Sequence, residues 1–390
     1  MALSKVADIA FAVTERGAIP DAIVRAGIRR LIRARLEEID AGGTEKGAAR
    51  AEDFVSGMLA SPIALVPEKA NEQHYEVPAA FFGHVLGRQR KYSCAWWPAG
   101  VGTLDEAEAA ALDATVQRAD LRDGQRILEL GCGWGSLTLR MAERFPDSRV
   151  TALSNSHSQR RHIEREATQR GLRNVEVVTA NVGEFEPGRR FDRIVSVEMF
   201  EHLRNWRAMF ARVARWLEAD GRFFMHVFVH RSTPYAFEPR DDSDWMSTHF
   251  FSGGMMPSDD LALRCQDDLR VLGQWRWDGT HYARTAEAWL ANMERRRPAV
   301  SRALEQAYGS DEAALWWVRW RLFFLSCAEL FSYEDGQQWW VADDPPATLP
   351  RAWEDMVQQV LRLVAERVLP EPDAARWLTA LVEFAEVTYP

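Results

Sequence analysis

Cysteine is scarce in this chain. Among 390 residues there are four, and they stand far apart: Cys94, Cys132, Cys265 and Cys327. Zinc ribbons and disulfide-rich secreted scaffolds need cysteines at short, paired spacings. The sequence therefore predicts reduced thiols and no bound metal.

Long hydrophobic runs are also lacking. No stretch approaches the roughly 20 apolar residues that a membrane-spanning helix needs. The apolar piece Ile9–Val13 is too short for the core of a signal peptide, and Thr-Glu-Arg follows it at once. We therefore expect a cytoplasmic protein.

Positive charge is in deficit, with 48 Lys and Arg against 57 Asp and Glu and a formal net charge of -9. Proteins that bind phosphate backbones do so through clustered Lys and Arg. Nucleic acid is therefore not an expected partner.

Arginines are nevertheless concentrated near the N-terminus. Residues Pro20–Ile39 carry apolar side chains at spacings of three and four with arginines between them, which predicts an amphipathic helix. Such a helix either meets anionic lipid or packs on the core with a solvated basic face. Its acidic end, Glu37–Asp40, favours packing on the core. The next residues, Ala41–Gly47, are typical of a small polar linker.

The segment Arg126–Leu137, RILELGCGWGSL, organises the chain. A short apolar strand ends at a glycine turn, after which a helical pattern resumes. Gly131 and Gly133 allow the backbone to approach a ligand where a Cβ would collide. The turn predicts a nucleotide-like ligand. Dinucleotide-binding enzymes use nearly the same turn, and a turn that only packs a helix on a strand is a further alternative.

Strand and helix patterns alternate from about residue 104 to residue 230. This alternation predicts an α/β fold with a parallel sheet, helices on both faces, and ligands at the carboxyl ends of the strands. The following loop-rich stretch is interpreted as a lid, before a late strand in Leu269–Trp275 and a final edge strand at Gln337–Val341. We expect four segments: 1–100, a helical cap and pocket wall; 101–230, the ligand-binding core; 231–344, the lid with the sixth and seventh strands and the helices that complete an acceptor pocket; and 345–390, a helical extension.

Polar side chains follow the predicted strands. Asn155 and Gln159 come after the second strand, Asn181 after the third, and Glu201 and His202 after the fourth. The amides can hydrogen-bond a nucleotide-like ligand. Adjacent Glu and His side chains at such an edge suit acid/base chemistry, although the Glu could instead cap a helix and the His lie on the surface.

Eight motifs then occur in the order found in the cyclopropane-fatty-acyl-phospholipid synthase family of class I S-adenosylmethionine-dependent methyltransferases: HYEVP, KYSCAWW, LELGCGWGSL, VTALSNSHSQ, FDRIVSVEMFEH, HVFVHR, FFSGGMMPS and GTHYARTAEAW. The chain resembles more closely the branch of coclaurine and related benzylisoquinoline alkaloid N-methyltransferases. The resemblance extends from about Pro20 to Asp344.

The resemblance implies a Rossmann-like fold with a seven-stranded mixed sheet, a helical N-terminal cap and a helical lid inserted after the fifth strand. It implies S-adenosylmethionine as methyl donor and S-adenosylhomocysteine as product. Carried over to this sequence, the donor-binding residues are Tyr92, Ser93, Glu129, Gly131, Gly133, Asn155, Gln159, Asn181, Val182 and Glu198.

The resemblance leaves the methyl acceptor open. In the N-methyltransferases, residues matching Tyr75, Glu76, Glu201 and His202 hold an amine and assist its deprotonation, which implies Glu201 and Glu76 on the ammonium, Tyr75 as orienting group and His202 as base. In the lipid synthases, residues matching Cys94, Glu201, His226 and Tyr282 hold a bicarbonate. Phe228 stands where those synthases tend to have a smaller aliphatic residue.

Three functions follow. The favoured one is N-methylation of a small hydrophobic amine, and the second is bicarbonate-assisted methyl transfer to an unsaturated acyl chain of a phospholipid. The third is a non-catalytic module that binds the cofactor. Residues from Pro345 onward extend beyond the resemblance and are hypothesised to cap the lid or to form a contact in a homo-oligomer.

Overall fold

The computed structural model describes residues 13–64, 79–237 and 245–348. The predicted acceptor residues Tyr75 and Glu76 lie outside the described residues, as do the helices expected in the tail at 351–364 and 373–385. The division into segments at residues 100, 230 and 344 stays a prediction.

A mixed sheet forms the centre of the fold, and seven of its strands follow the order β3-β2-β1-β4-β5-β10-β9. The first five run parallel, whereas β10 is antiparallel to both of its neighbours. The main strands are β1 Arg126–Leu130, β2 Arg149–Ser154, β3 Val175–Thr179, β4 Phe191–Val197, β5 Leu217–His230, β9 Trp275–Trp277 and β10 Trp339–Asp344. The predicted fold class is confirmed.

Within the described ranges the sheet has nine strands, two more than the seven expected. The two additional strands are β8, Leu269–Val271, and β11, Pro346–Thr348, which pair with each other, and β11 also pairs with β5. The late strand predicted at 269–275 is therefore divided between β8 and β9. Strand β11 lies before the helix predicted at 351–364, so the prediction for the tail stays untested.

Helices cover both faces of the sheet, as predicted. Phe210 and Val213 pack with Ile194 and Phe223 on one face, whereas Leu112 and Leu137 pack with Val195 and Phe224 on the other. The described helices are α1 Asp21–Asp40, α2 Gly43–Leu59, α3 Ala79–Val85, α4 Leu104–Arg118, α5 Ser136–Arg144, α6 His157–Gln169, α7 Trp206–Trp216, α8 Trp245–His249, α9 Gly279–Arg295, α10 Arg297–Tyr308 and α11 Ser310–Ser332.

The long helices of the second half do not directly follow β5. The segment after β5 contains a small hairpin, β6 Tyr235–Ala236 and β7 Met255–Met256, and the short helix α8. Helices α9, α10 and α11 lie between β9 and β10, and they bury an aromatic cluster that includes Trp289, Trp320 and Phe324. The helical lid expected after the fifth strand stays a prediction.

Two further expectations are wrong. The predicted linker Ala41–Gly47 is mostly helix, because Gly42, with φ of 90°, makes the turn and α2 begins at the next residue. The predicted edge strand is interior: β10 lies between β5 and β9, where Val341 is paired with Trp277. Its other neighbour, β5, is more than a hundred residues earlier in sequence, so local pattern did not reveal this position.

Helix α1 packs on the core, as its acidic end predicted. Ile32, Leu36 and Ile39 are buried. Arg25 donates to Glu287 and Glu329 at 2.6 and 2.8 Å, so part of the basic face is neutralised by other helices. Within the described ranges, no helix is long and apolar enough to cross a membrane.

Candidate active site

A cavity of about 730 Å³ lies at the carboxyl ends of the parallel strands. This position is where open α/β sheets bind ligands. Seven residues predicted from the sequence line it: Gly131, Gly133, Asn155, Gln159, Asn181, Val182 and His202. Sequence reasoning missed other lining residues, among them Ala64, Met199 and Ser252.

The glycine turn brings backbone to the cavity wall. Gly131 has φ of 77°, and a Cβ on it would lie 2.6 Å from the Cγ of Met199. Gly133 has φ of 51°, and a Cβ there would meet open space. Gly135 has φ of 81° and precedes α5 directly. The turn therefore keeps a side of the cavity free of side chains for a closely approaching ligand.

Gln159 supplies an unpaired donor at this cavity. Its Oε1 accepts from the hydroxyl of Ser154 at 2.7 Å. Its Nε2 is buried and has no hydrogen-bond partner among the described residues. Asn181 also lines the cavity, and its Oδ1 accepts from the backbone N–H of Gly183 at 2.9 Å while a second lone pair is left over. These groups fit the hydroxyl and amino groups of an adenosine.

Glu129 lies outside the lining of this cavity. Its Oε2 accepts from the hydroxyl of Thr138 at 2.5 Å, which ties β1 to α5 behind the turn. Burial raises the pKa of Glu129 to about 8. Tyr92 and Ser93 also lie outside the lining: Tyr92 packs on Phe82, with ring centroids 4.8 Å apart. The proposed contacts of these three residues with a methyl donor stay predictions.

Glu198 follows β4 and is held by groups from three other parts of the chain. Its Oε1 accepts from the backbone N–H of Cys94 at 2.8 Å, and its Oε2 accepts from the hydroxyl of Tyr282 at 2.6 Å. The Nε2 of His226 lies 3.5 Å from Oε1. Burial raises the pKa of Glu198, but the hydrogen bond and charge of His226 and the charge of Lys91 outweigh burial, so the net shift is downward. Glu198 is therefore an anion at neutral pH.

Glu201 is the second buried carboxyl of this cluster. Its Oε1 accepts from the backbone N–H of Phe228 at 2.8 Å. Its Oε2 is buried and finds no hydrogen-bond partner in the part of the chain that the structure describes. Burial, followed by the negative charge of Glu198, raises the pKa of Glu201 well above its usual range. Because the negative charge of Glu198 disfavours a second negative charge here, Glu201 is the neutral member.

His202 lies beside Glu201 and lines the cavity. Its ring stacks on Phe251, with centroids 5.5 Å apart and planes within 3°. Burial lowers the pKa of His202 to about 4, although Glu198 opposes this shift, so the ring is neutral at pH 7. The segment after β5 is in direct contact with this turn, because a Cβ on Gly254 would lie 2.9 Å from the backbone oxygen of Glu201.

Two charged residues that sequence reasoning missed support this cluster. Lys91 is buried, and its Nζ donates to the hydroxyl of Ser93 at 2.5 Å and to the backbone oxygen of Cys94 at 2.6 Å. Asp343 on β10 accepts from Nδ1 of His226 at 2.6 Å. The available signal was a charge next to an apolar or aromatic run, in KYSCAWW and in WWVADD, since buried charges need partners.

The sheet order, the antiparallel β10 and the glycine turn at the cavity define the protein as a class I S-adenosylmethionine-dependent methyltransferase. The family model described as mycolic acid cyclopropane synthetase matches residues 66–339, and the chain belongs to this family. The family membership predicted from the eight motifs is confirmed.

Curated relatives are found in both branches of the family. The (S)-coclaurine N-methyltransferase of Thalictrum flavum subsp. glaucum is 36% identical over 331 residues, which cover 83% of this chain and 91% of the relative. Cyclopropane mycolic acid synthase 1 of Mycobacterium tuberculosis is 30% identical over 283 residues, covering 69% of this chain and 95% of the relative.

Solved structures show the same two branches. A coclaurine N-methyltransferase bound to N-methylheliamine and SAH superposes with a TM-score of 0.84 at 33% identity, covering 89% of this chain and 100% of the other. A mycolic acid cyclopropane synthase in complex with SAH and CTAB has a TM-score of 0.61 at 26% identity, covering 72% of this chain and 99% of the other.

Proposed function

We propose that this protein transfers a methyl group from S-adenosylmethionine to the nitrogen of a small hydrophobic amine. The (S)-coclaurine N-methyltransferase is 36% identical over 83% of this chain, against 30% over 69% for the cyclopropane mycolic acid synthase. The structure neighbour bound to an N-methylated compound and SAH covers 89% of this chain.

The observation that carries this proposal is the position of the Glu198 carboxylate. The groups that the lipid-synthase resemblance assigns to a bicarbonate include Cys94, His226 and Tyr282. In this structure the Cys94 N–H and the Tyr282 hydroxyl donate to Glu198 instead, and His226 lies 3.5 Å from it. A carboxylate of the protein therefore takes the place of a small carboxylate-like anion, which favours direct methylation of a nucleophile that needs no bound bicarbonate.

The residues of the cavity fit S-adenosylmethionine as methyl donor. When bound, this cofactor supplies an electrophilic methyl group on a positively charged sulfur. The glycine turn admits close contact with the ligand, and Gln159 and Asn181 offer an amide donor and an amide acceptor to its polar groups. The anionic Glu198 adds a negative charge near a site that receives cations.

Glu201 and His202 suit the handling of an amine. An aliphatic amine is mostly protonated at neutral pH and has no lone pair for attack until a proton is removed. We assign the unpaired Oε2 of Glu201 to the ammonium, with Glu76 as second carboxylate, Tyr75 as orienting group and His202 as base. Since the pKa of His202 is about 4, His202 does not retain the proton that it removes, and the proton passes to Glu201 once that carboxyl has ionised. The aromatic lid at Phe251 limits access of water.

We also propose that the acceptor is taken from solution in the cytoplasm and that no membrane contact is required. The pairing of Arg25 with Glu287 and Glu329 leaves less free positive charge on α1 for anionic lipid. Flotation of the protein with vesicles of anionic phospholipid would contradict this part of the proposal. A truncation after Asp344 tests whether the tail contributes to activity or to a homo-oligomer.

The deciding experiment is transfer of labelled methyl from S-adenosylmethionine to two sets of acceptors, each with and without bicarbonate. One set contains cyclic secondary amines that carry an aromatic ring, and the other contains vesicles of unsaturated phospholipid. We expect label in the amines at a rate that bicarbonate does not change. Label in lipid that increases with bicarbonate would overturn the proposal and would reassign Glu201, His226 and Tyr282 to anion binding.

A further inference from the structure

Asp343 on β10 contacts both His226 on β5 and Arg118 at the end of α4. In the antiparallel pairing of β10 with β5, Asp343 stands opposite His226, and its Oδ1 accepts from Nδ1 of His226 at 2.6 Å. Its Oδ2 pairs with the guanidinium of Arg118 at the end of α4. Arg118 is enclosed by three indole rings, whose centroids lie between 5.2 and 6.0 Å from its Cζ: those of Trp96, Trp275 and Trp277.

The two ring nitrogens of His226 both face carboxylates. Nδ1 contacts Asp343, and Nε2 lies 3.5 Å from Oε1 of Glu198. A neutral imidazole has one nitrogen with a lone pair, which would point at an anion on one of these two sides. Only the imidazolium presents a proton to each carboxylate. The ring is 1% exposed, so water does not replace either partner.

We propose that Asp343 is a positioning residue for methyl transfer: it holds His226 as an imidazolium and so keeps Glu198 ionised and fixed beneath the acceptor site. Asp343 itself does not line the cavity and acts through His226. The inference rests on the proposed function, because it concerns Glu198, the carboxylate beside the Glu201 that receives the amine. Nothing in the motif resemblance assigns a role to this position.

The charged groups around His226 support this arrangement. Asp343 comes from β10 and Glu198 from the end of β4, and both raise the pKa of His226. Burial and the nearby charge of Lys91, from the segment before α4, act in the opposite direction, and the net shift is upward. Without the Asp343 charge, burial and the charge of Lys91 lower the pKa of His226, and only Glu198 raises it. His226 then loses its proton at a lower pH.

The neighbouring residue Asp344 offers a matched control. It is 2% exposed, similar to Asp343 at 1%, and it lies on the same strand. Its carboxyl accepts from the side chain of Gln274 at 3.1 Å and does not contact His226. Asp344→Asn therefore removes a buried carboxyl from β10 and leaves the contacts of His226 in place.

The test compares the full-length wild type with the Asp343→Asn, Asp344→Asn and Arg118→Gln variants. The pH dependence of kcat/KM is measured with one amine, and the titration of His226 is followed by NMR of histidine-labelled protein. For Asp343→Asn we expect the His226 titration and the alkaline limb of kcat/KM to move at least about one pH unit lower, as loss of an opposite charge predicts. Arg118→Gln removes a cation that faces Asp343, so it is expected to move both in the opposite direction, to higher pH, and it carries the test if Asp343→Asn does not fold.

An unchanged His226 titration in Asp343→Asn, or an equal shift in Asp344→Asn, would overturn the inference. Affinity for S-adenosylhomocysteine, measured by calorimetry, is expected to stay within about threefold of wild type, since the cavity residues are unaltered. The NMR titration needs no methyl acceptor, so it tests the pairing of Asp343 with His226 independently of the proposed N-methyltransferase function. If no amine is methylated but His226 shifts as expected, the proposed function fails and the pairing stands.

Discussion

Glu198 is the residue whose replacement best tests the internal carboxylate. Its φ of 47° is in the left-handed region, which costs a non-glycine residue about 1 kcal/mol. Glu198→Gly relieves this strain but removes the acceptor of two short hydrogen bonds, from Cys94 and Tyr282. Each such bond to a charged group contributes about 1.5–3 kcal/mol. The net loss of about 2–5 kcal/mol predicts a fall in kcat of roughly 30- to 5,000-fold.

The same variant frees its donors for a small anion. We expect formate, acetate or bicarbonate in the assay to restore part of the amine methylation by Glu198→Gly and to have no effect on the wild type. Glu198→Gln is the control, because its amide occupies the same space and excludes an added anion. The reasoning is refuted if wild type is stimulated by bicarbonate to the same degree, or if no anion restores a Glu198→Gly protein that still binds S-adenosylhomocysteine.

Three further predictions concern single side chains. Glu201→Gln leaves a buried ammonium without a carboxylate, which costs about 3–4 kcal/mol, so kcat/KM for the amine should fall roughly 100- to 1,000-fold. Calorimetry should find the affinity for S-adenosylhomocysteine unchanged. An equal loss of kcat/KM and of this affinity would contradict the assigned role. Gly131→Ala forces a Cβ to 2.6 Å from Met199 at a φ of 77°, so cofactor affinity measured by calorimetry should fall at least about tenfold, whereas Gly133→Ala, whose Cβ meets open space, should lose less. Burial raises the pKa of Glu129 from 4.5 to about 8. Between these two pH values the folded protein retains a proton that the unfolded chain releases. The free energy of unfolding therefore falls as the pH rises from 4.5 to 8, by up to about 1.4 kcal/mol per pH unit. Glu129→Gln should remove that part of the slope in urea unfolding at different pH values, and an unchanged slope would show that Glu129 is not its source.

Local pattern was sufficient for the centre of the molecule. The strand, glycine turn and helix from Arg126 onward are neighbours in sequence, and their residues determine the geometry directly. Thr103 caps α4 in an equally local way: its hydroxyl accepts from the backbone N–H of Glu106, and the Glu106 side chain accepts from the backbone N–H of Thr103. The polar residues at the ends of parallel strands were also found, because those ends meet at one edge of a sheet.

Long-range pairing was not visible in the pattern. Strand β10 reads as a last edge strand, yet it is inserted between β5 and β9 because its backbone pairs with both. Asp343 and His226 are 117 residues apart, and Glu198 and Tyr282 are 84 apart. The sequence was sufficient to place a side chain at the end of a strand near the ligand-binding edge of the sheet. Only the fold brings Tyr282 and Cys94 to Glu198, whose carboxylate binds these two residues and does not line the cavity.

The charges of the carboxyl pair suggest how the proton leaves the amine. Before ligands enter, Glu198 is ionised and Glu201 is neutral, since burial and mutual repulsion prevent a second negative charge. A bound ammonium beside a positively charged methyl donor would favour ionisation of Glu201, whose proton would leave to solvent. Transfer of the ammonium proton through His202 to this carboxylate would then free the lone pair that attacks the methyl group, and the positive charge would pass from the methyl donor to the nitrogen of the product. Glu201 would again be neutral beside an anionic Glu198, which is the charge state that burial prefers. A neutral Glu201 holds the cationic product less strongly than an ionised one, so the same electrostatics that admit the ammonium favour release of the product.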